Sequence, residues 1–216
     1  MEQALPPVDQ GALAARYARP LPALWASLQQ LGCFDPHHQR HLQLSDLRWL
    51  DVPQIVAWRF PADSVDDLLP FAVTGLEDLW CLTHRFGHGS ADLDPGGPPR
   101  AVVFCPHEDE VAFAYAPNFS AFIFRAVLEE YACTCLTEYH SPGRSLAILG
   151  DYAATVAPLL PSSLADILRD VGERPLQELE HGYFGTLNAD EAQAVIAQVF
   201  ADWPDFDREF EHVLGN

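Results

Sequence analysis

No lysine occurs anywhere in the 216 residues, so all twelve basic side chains are arginine, set against 31 aspartates and glutamates. The formal net charge is −19. A field of that sign repels phosphate backbones and anionic lipid headgroups, which makes nucleic acid and membrane surfaces poor partners. It would speed encounter with a basic protein, and it also serves plain solubility. Without lysine there is no phosphate-cradling G-x-x-x-x-G-K-[ST] loop. The acid excess is uneven. Residues 1–150 carry 18 acidic residues and nine arginines, whereas residues 151–216 carry 13 and three.

Long apolar runs are missing too. Val111–Phe124 is broken by Pro117, Asn118 and Ser120 and falls short of the ~20 residues that a membrane span needs. Met1–Gln10, "MEQALPPVDQ", has neither a basic start nor an apolar core, so a secretion signal is not expected. The five cysteines include no CxxC pair. That pattern suits reduced thiols rather than a disulfide framework. A soluble cytoplasmic protein is the expectation.

What is present reads as α+β. With 49% hydrophobic residues the chain can bury a sizeable core. Leu21, Leu24, Trp25, Leu28 and Leu31 recur at helical spacing, with Pro20 and Pro22 at the start and Gly32 at the end. "QIVAWRF", Gln54–Phe60, has the β-branched and aromatic content of a strand. Strands are expected near Leu69–Thr74 and Leu79–Thr83, joined at Gly75, and again at Ala101–Cys105. "GHGSADLDPGGPPR", Gly87–Arg100, has the composition of an exposed loop. "VAFAYA" alternates, with bulky Val111, Phe113 and Tyr115 on one face expected against the core, while the flat alanine face could lie under a helix or be open. Asn118 precedes a helical run in which Arg125 and Glu129 form an exposed i,i+4 pair. Ser162 or Ser163 caps a further helix, and Asn188 with Glu191 makes a capping box for another. Phe206, Phe210, Val213 and Leu214 suggest one more helix. The expected architecture is an antiparallel sheet flanked by helices over residues 1–140, followed by an acidic helical extension over residues 141–216.

Candidate chemistry is sparse. Cys81, His84 and His88 stand close in sequence, and Cys105-x-His107 and Cys133-x-Cys135 add potential ligands. A structural zinc site needs four such groups at fixed distances, and Cys81 and His84 fall on opposite faces of a continuous strand. A cysteine or serine nucleophile needs a base within hydrogen-bond reach and an oxyanion hole. No cysteine here is glycine-flanked at a helix start, and "HGSAD" around Ser90 lacks a nucleophile elbow. The acidic pair Glu77–Asp78 and the trio Glu108–Asp109–Glu110 suit solvated turns between strands better than a hydrolytic pair.

The central block resembles a known family. "LLPFAVTGLEDLWCL" followed by "PPRAVVFCPHEDEVAFAYAPNFSAFIFRAVLEEY" is similar to the Smi/Knr-type, or SUKH, superfamily. The likeness is carried by Pro70-Phe71-Ala72, the turn Gly75–Asp78, Trp80-Cys81, Val102–Glu110 and Phe119-Ser120-Ala121-Phe122. "RPLPALWASLQQLG", Arg19–Gly32, resembles the opening helix. The likeness spans roughly residues 20–135, and it departs at Leu76-Glu77, where the family usually has a second glycine. It implies an α+β protein-binding fold with no cofactor and no catalytic residue. Many bacterial members are cytoplasmic immunity proteins that neutralise toxins, and eukaryotic relatives are scaffolding regulators. The expectation is therefore an immunity protein that captures a basic toxin domain through Glu77, Asp78, Trp80, Glu108, Asp109 and Glu110. The alternatives are a scaffold that docks through the acidic helical tail, and a small metalloprotein or hydrolase.

Overall fold

A computed structural model describes residues 10–17, 21–44, 46–60, 67–86, 100–107, 109, 111–179 and 182–211. Its helices are α1 (Gln10–Tyr17), α2 (Ala23–Gln30), α3 (Val52–Ala57), α4 (Phe119–Ala132), α5 (Pro142–Val156), α6 (Ser162–Gly172) and α7 (Ala189–Val199). Its strands are β1 (Arg48–Trp49), β2 (Leu69–Val73), β3 (Leu79–Thr83), β4 (Ala101–Cys105), β5 (Val111–Ala116), β6 (Gln177–Glu178), β7 (Phe184–Gly185) and β8 (Glu209–Glu211). The fold is α+β, with a six-stranded antiparallel sheet in the order β1-β2-β3-β4-β5-β8.

Two compact units form. The first holds residues 1–41, 46–119 and 203–216, the second residues 42–45 and 120–202. The boundary between these units does not fall at residue 140. Ser120 already belongs to the second unit, and the chain returns to the first at Trp203.

In the first unit, α2 ends as its sequence dictates. Gly32 sits at φ +81°, and the Cys33 and Gly32 amides bond back to the Leu28 and Gln29 carbonyls, both at 3.0 Å. This is a Schellman closure, which requires a left-handed residue. A Cβ at Gly32 would also run into the His38 ring. Gly32→Ala is expected to destabilise the protein by about 1–3 kcal/mol. A urea midpoint unchanged from wild type would contradict this.

The strand expected at Gln54–Phe60 is instead α3. Asp51 accepts from the Gln54 amide at 2.7 Å and donates its own amide to Gln54 Oε1 at 2.9 Å, while Pro53 sits in the first turn. This capping box outweighs the β-branched content, because it satisfies two amide donors at once and fixes the entry angle. Val52 and Ile55 become the buried face.

Strands β2 to β5 lie where the sequence put them, with one face reversed. The alanines of β5 are fully buried, and Val111, Phe113 and Tyr115 are only half-buried. Bulk alone does not choose the buried face. A row of methyl groups admits a neighbouring layer close to the backbone and packs as densely as large side chains do. Phe71, Phe119 and Trp49 form an aromatic cluster, with Phe119 edge-on to Phe71 at 5.3 Å.

The final helix expected around Phe206 and Phe210 is instead strand β8. Pro204 precedes it, Asp207 takes φ +52°, and Glu209-Phe210-Glu211 alternates with period two. The Asp207 amide bonds to the Ala114 carbonyl at 3.0 Å, and the Ala114 amide to the Arg208 carbonyl at 2.9 Å. Trp203 Nε1 donates to the Phe86 carbonyl at 3.1 Å, and the Phe86 ring lies 5.0 Å from Phe210 in a tilted arrangement. Val213 and Leu214 lie outside the described residues.

The second unit is mainly helical. Asn188 and Glu191 make the expected capping box of α7, with reciprocal bonds of 2.9 and 2.8 Å. Strongly amphipathic α6 buries Leu164, Ala165, Leu168 and Val171. Gly185 of the short β6–β7 ribbon passes so close to the Tyr131 carbonyl that a Cβ would stand 2.6 Å from its oxygen. Arg125 bonds to Glu129 at 2.9 Å as expected, with the Arg125 side chain 9% exposed and that of Glu129 40%, so the pair is only half exposed.

Candidate protein-binding surface

Two turns meet at one end of the sheet. Between β2 and β3, Thr74 Oγ1 accepts from the Asp78 amide at 3.1 Å and donates to Asp78 Oδ2 at 2.8 Å. Asp78 Oδ1 accepts from the His107 amide at 2.8 Å, in the turn between β4 and β5. Gly75 donates its amide to Asp46 Oδ1 at 2.9 Å. Asp78 is thus a clamp between turns. Both of its carboxylate oxygens are engaged in hydrogen bonds inside the protein. Asp78→Ala would leave two donors without their acceptor and is expected to lower stability by about 2 kcal/mol. Urea unfolding checks this, and Glu77→Ala, which removes no such bond, should be nearly neutral.

The clamp presents other groups outward. Glu77 is exposed at φ +69°, beside Leu76, which is 75% exposed. A left-handed, non-glycine residue next to an exposed leucine is unusual for a turn whose purpose is only to reverse the chain. Asp109 is exposed and accepts from the Val111 amide at 3.0 Å. Glu108 and Glu110 lie outside the described residues.

Trp80 opens onto a wider feature. Directly opposite residues of antiparallel strands share a face. The register runs Trp80↔Phe104, Phe104↔Phe113 and Phe113↔Glu209, so one row crosses four strands. Trp80 lies 4.7 Å from Phe104 and 4.6 Å, edge-on, from Tyr115. Each of these aromatic residues is half-buried. The next row pairs Val111 with Glu211, toward the end that carries Glu77 and Asp109. The result is an aromatic strip with Glu209 and Glu211 in register on its face, and with Glu77 and Asp109 exposed in the turns at the same end of the sheet. Phe104, Phe113, Tyr115, Glu209 and Glu211 were absent from the sequence-based set. The period-two patterns of β5 and β8 were the signal for them, once the alanine face is recognised as the buried one.

The thiols and imidazoles sit elsewhere. Cys81 and Cys105 are fully buried neighbours, and burial pushes the Cys81 thiol well above its usual pKa, with a hydrogen bond to Cys105 adding to the effect. The His84 amide is held by Asp67 Oδ2, and His88 lies outside the described residues. Among the described residues no group of three or more His, Cys, Asp or Glu stands close enough to hold a metal ion. A cavity of about 530 Å³ beside β1 is lined by Phe34, His41 and Trp49 among others. His41 Nδ1 lies 3.2 Å from the Cys33 carbonyl, and burial lowers the imidazole pKa. Burial drives the Cys33 thiol the other way, up to about 11, so at neutral pH His41 has no thiolate to pair with.

No family model matches the chain, and no curated protein or solved structure is significantly similar to it. No helix among the described residues is long and apolar enough to cross a membrane.

Proposed function

We propose that this chain is a protein-binding module of the Smi/Knr kind, a cytoplasmic bacterial immunity protein that neutralises a toxin domain by direct binding, without catalysis. The observation that carries the reading is the strip Trp80, Phe104, Phe113 and Tyr115 on the sheet, with Glu209 and Glu211 in register on its face and Glu77 and Asp109 exposed in the turns at the same end. Half-buried aromatic side chains are effective anchors, since they desolvate a large area at little entropic cost. Carboxylates around them reject acidic surfaces and steer basic ones. The net charge of −19 extends that steering beyond the site.

The test is co-expression with each toxin-like domain found encoded in a gene flanking this one, followed by association kinetics on any pair that co-purifies. Survival of the host and a complex stable to gel filtration are the expected results. The association rate should fall at least about tenfold between 20 and 500 mM salt, because screening shortens the Debye length from ~20 Å to ~4 Å. A rate indifferent to salt would remove electrostatic steering from the account. A host killed despite high expression of the protein would remove the immunity reading.

A further inference from the structure

Strand β8 ends the sheet, and among the described residues nothing pairs with its far side. The direction of its backbone groups follows from the ladder. Ala114 exchanges both of its backbone bonds with Asp207 and Arg208. Bonded pairs recur at every second residue in an antiparallel ladder, so the next is Ala112 with Phe210. Glu209 and Glu211 then direct their amide and carbonyl groups away from β5, along the open edge. Both side chains are exposed, and both lie on the face that carries the aromatic strip.

Resting on the protein-binding reading, we infer that the open edge of β8 docks an extended segment of the partner with the pattern basic–apolar–basic, which adds as a seventh strand. The chemistry selects that occupant. Residues placed directly opposite Glu209 and Glu211 share their face at a Cβ separation of about 5 Å, where opposite charges attract and like charges repel. Arginine or lysine at two alternate positions therefore fits. The residue between them faces the same side as Phe210 and the buried alanines, where an apolar side chain is favoured. A second copy of this chain is rejected by the same rule, since antiparallel pairing of β8 with itself through Phe210 would set Glu209 against Glu211. The two glutamates thus guard the edge against self-association while leaving it open to a basic strand.

The probe is a capped pentapeptide alternating valine and arginine, added to the full-length ¹⁵N-labelled protein, with amide exchange read at Glu209 and Glu211. Slowing at those two amides by about tenfold or more is expected with the arginine peptide and not with its glutamate counterpart. E211P removes one outward-facing amide and no bond to β5, so the fold should persist while peptide affinity falls at least about tenfold. E209Q/E211Q keeps the amides and should erase the preference for arginine. No slowing at either amide, equal slowing by both peptides, or unchanged peptide affinity in E211P would overturn the inference, as would concentration-dependent dimerisation through this edge. Peptide docking without toxin neutralisation sinks the immunity reading alone. A toxin held equally by wild type and E211P sinks the edge alone.

Discussion

Replacing Trp80 with alanine is expected to weaken the proposed complex by at least about 2 kcal/mol, roughly thirtyfold in affinity. Trp80 stands where three observations coincide. It lies in the row that crosses to Glu209, it contacts Phe104 and Tyr115, and it adjoins the turn clamped by Asp78. The remaining rings would be left without their central partner, so Phe104 and Tyr115 would also present less ordered surfaces. The loss should lie mainly in a faster dissociation rate, because the carboxylates that steer encounter are untouched. Fold stability should also drop, by about 1–3 kcal/mol for the two aromatic pairs lost. Titration calorimetry against the toxin domain, run beside urea unfolding, separates the two effects. Full affinity in Trp80→Ala would place the binding surface elsewhere.

Phe119→Ala has the opposite profile. Phe119 is 1% exposed, meets Phe71 edge-on and lies 6.4 Å from Trp49. Emptying that position removes a whole ring from the aromatic cluster and leaves a cavity, at an expected loss of about 3–5 kcal/mol of stability. This is a large share of the 5–15 kcal/mol that typically holds a domain together, so soluble yield should fall as well. Phe119→Leu keeps most of the volume and should lose less than about 2 kcal/mol. Chemical unfolding of the two variants gives the comparison. Equal loss in both would mean that ring geometry, not filled space, sets the energy here.

How much was legible in the sequence varied with the range of the interaction responsible. The ends of α2 and α7 were readable from Gly32 and from Asn188 with Glu191, because caps are made by residues within one turn of each other. The same local logic was present in Asp51-Val52-Pro53-Gln54, where strand-like composition masked a capping box. The candidate site was half legible. Trp80, Glu77 and Asp109 do lie outward near one end of the sheet. Asp78 turns inward to the His107 amide, an acceptor–donor match 29 residues apart that no local pattern announces. Glu209 and Glu211 belong to the strip only because β8 returns to β5 from nearly a hundred residues away.

By itself the sequence determined the class of the fold, the strands β2 to β5 and the sign of the electrostatic field. Those follow from composition and from side-chain periods of 2 and 3.6, which act within a few residues. Only the tertiary structure decided which face of β5 is buried, that the chain's last described segment closes the sheet rather than forming a helix, and which carboxylates share the face of the aromatic strip. These depend on register between strands distant in sequence, and a register shifted by one residue would send each side chain to the other face.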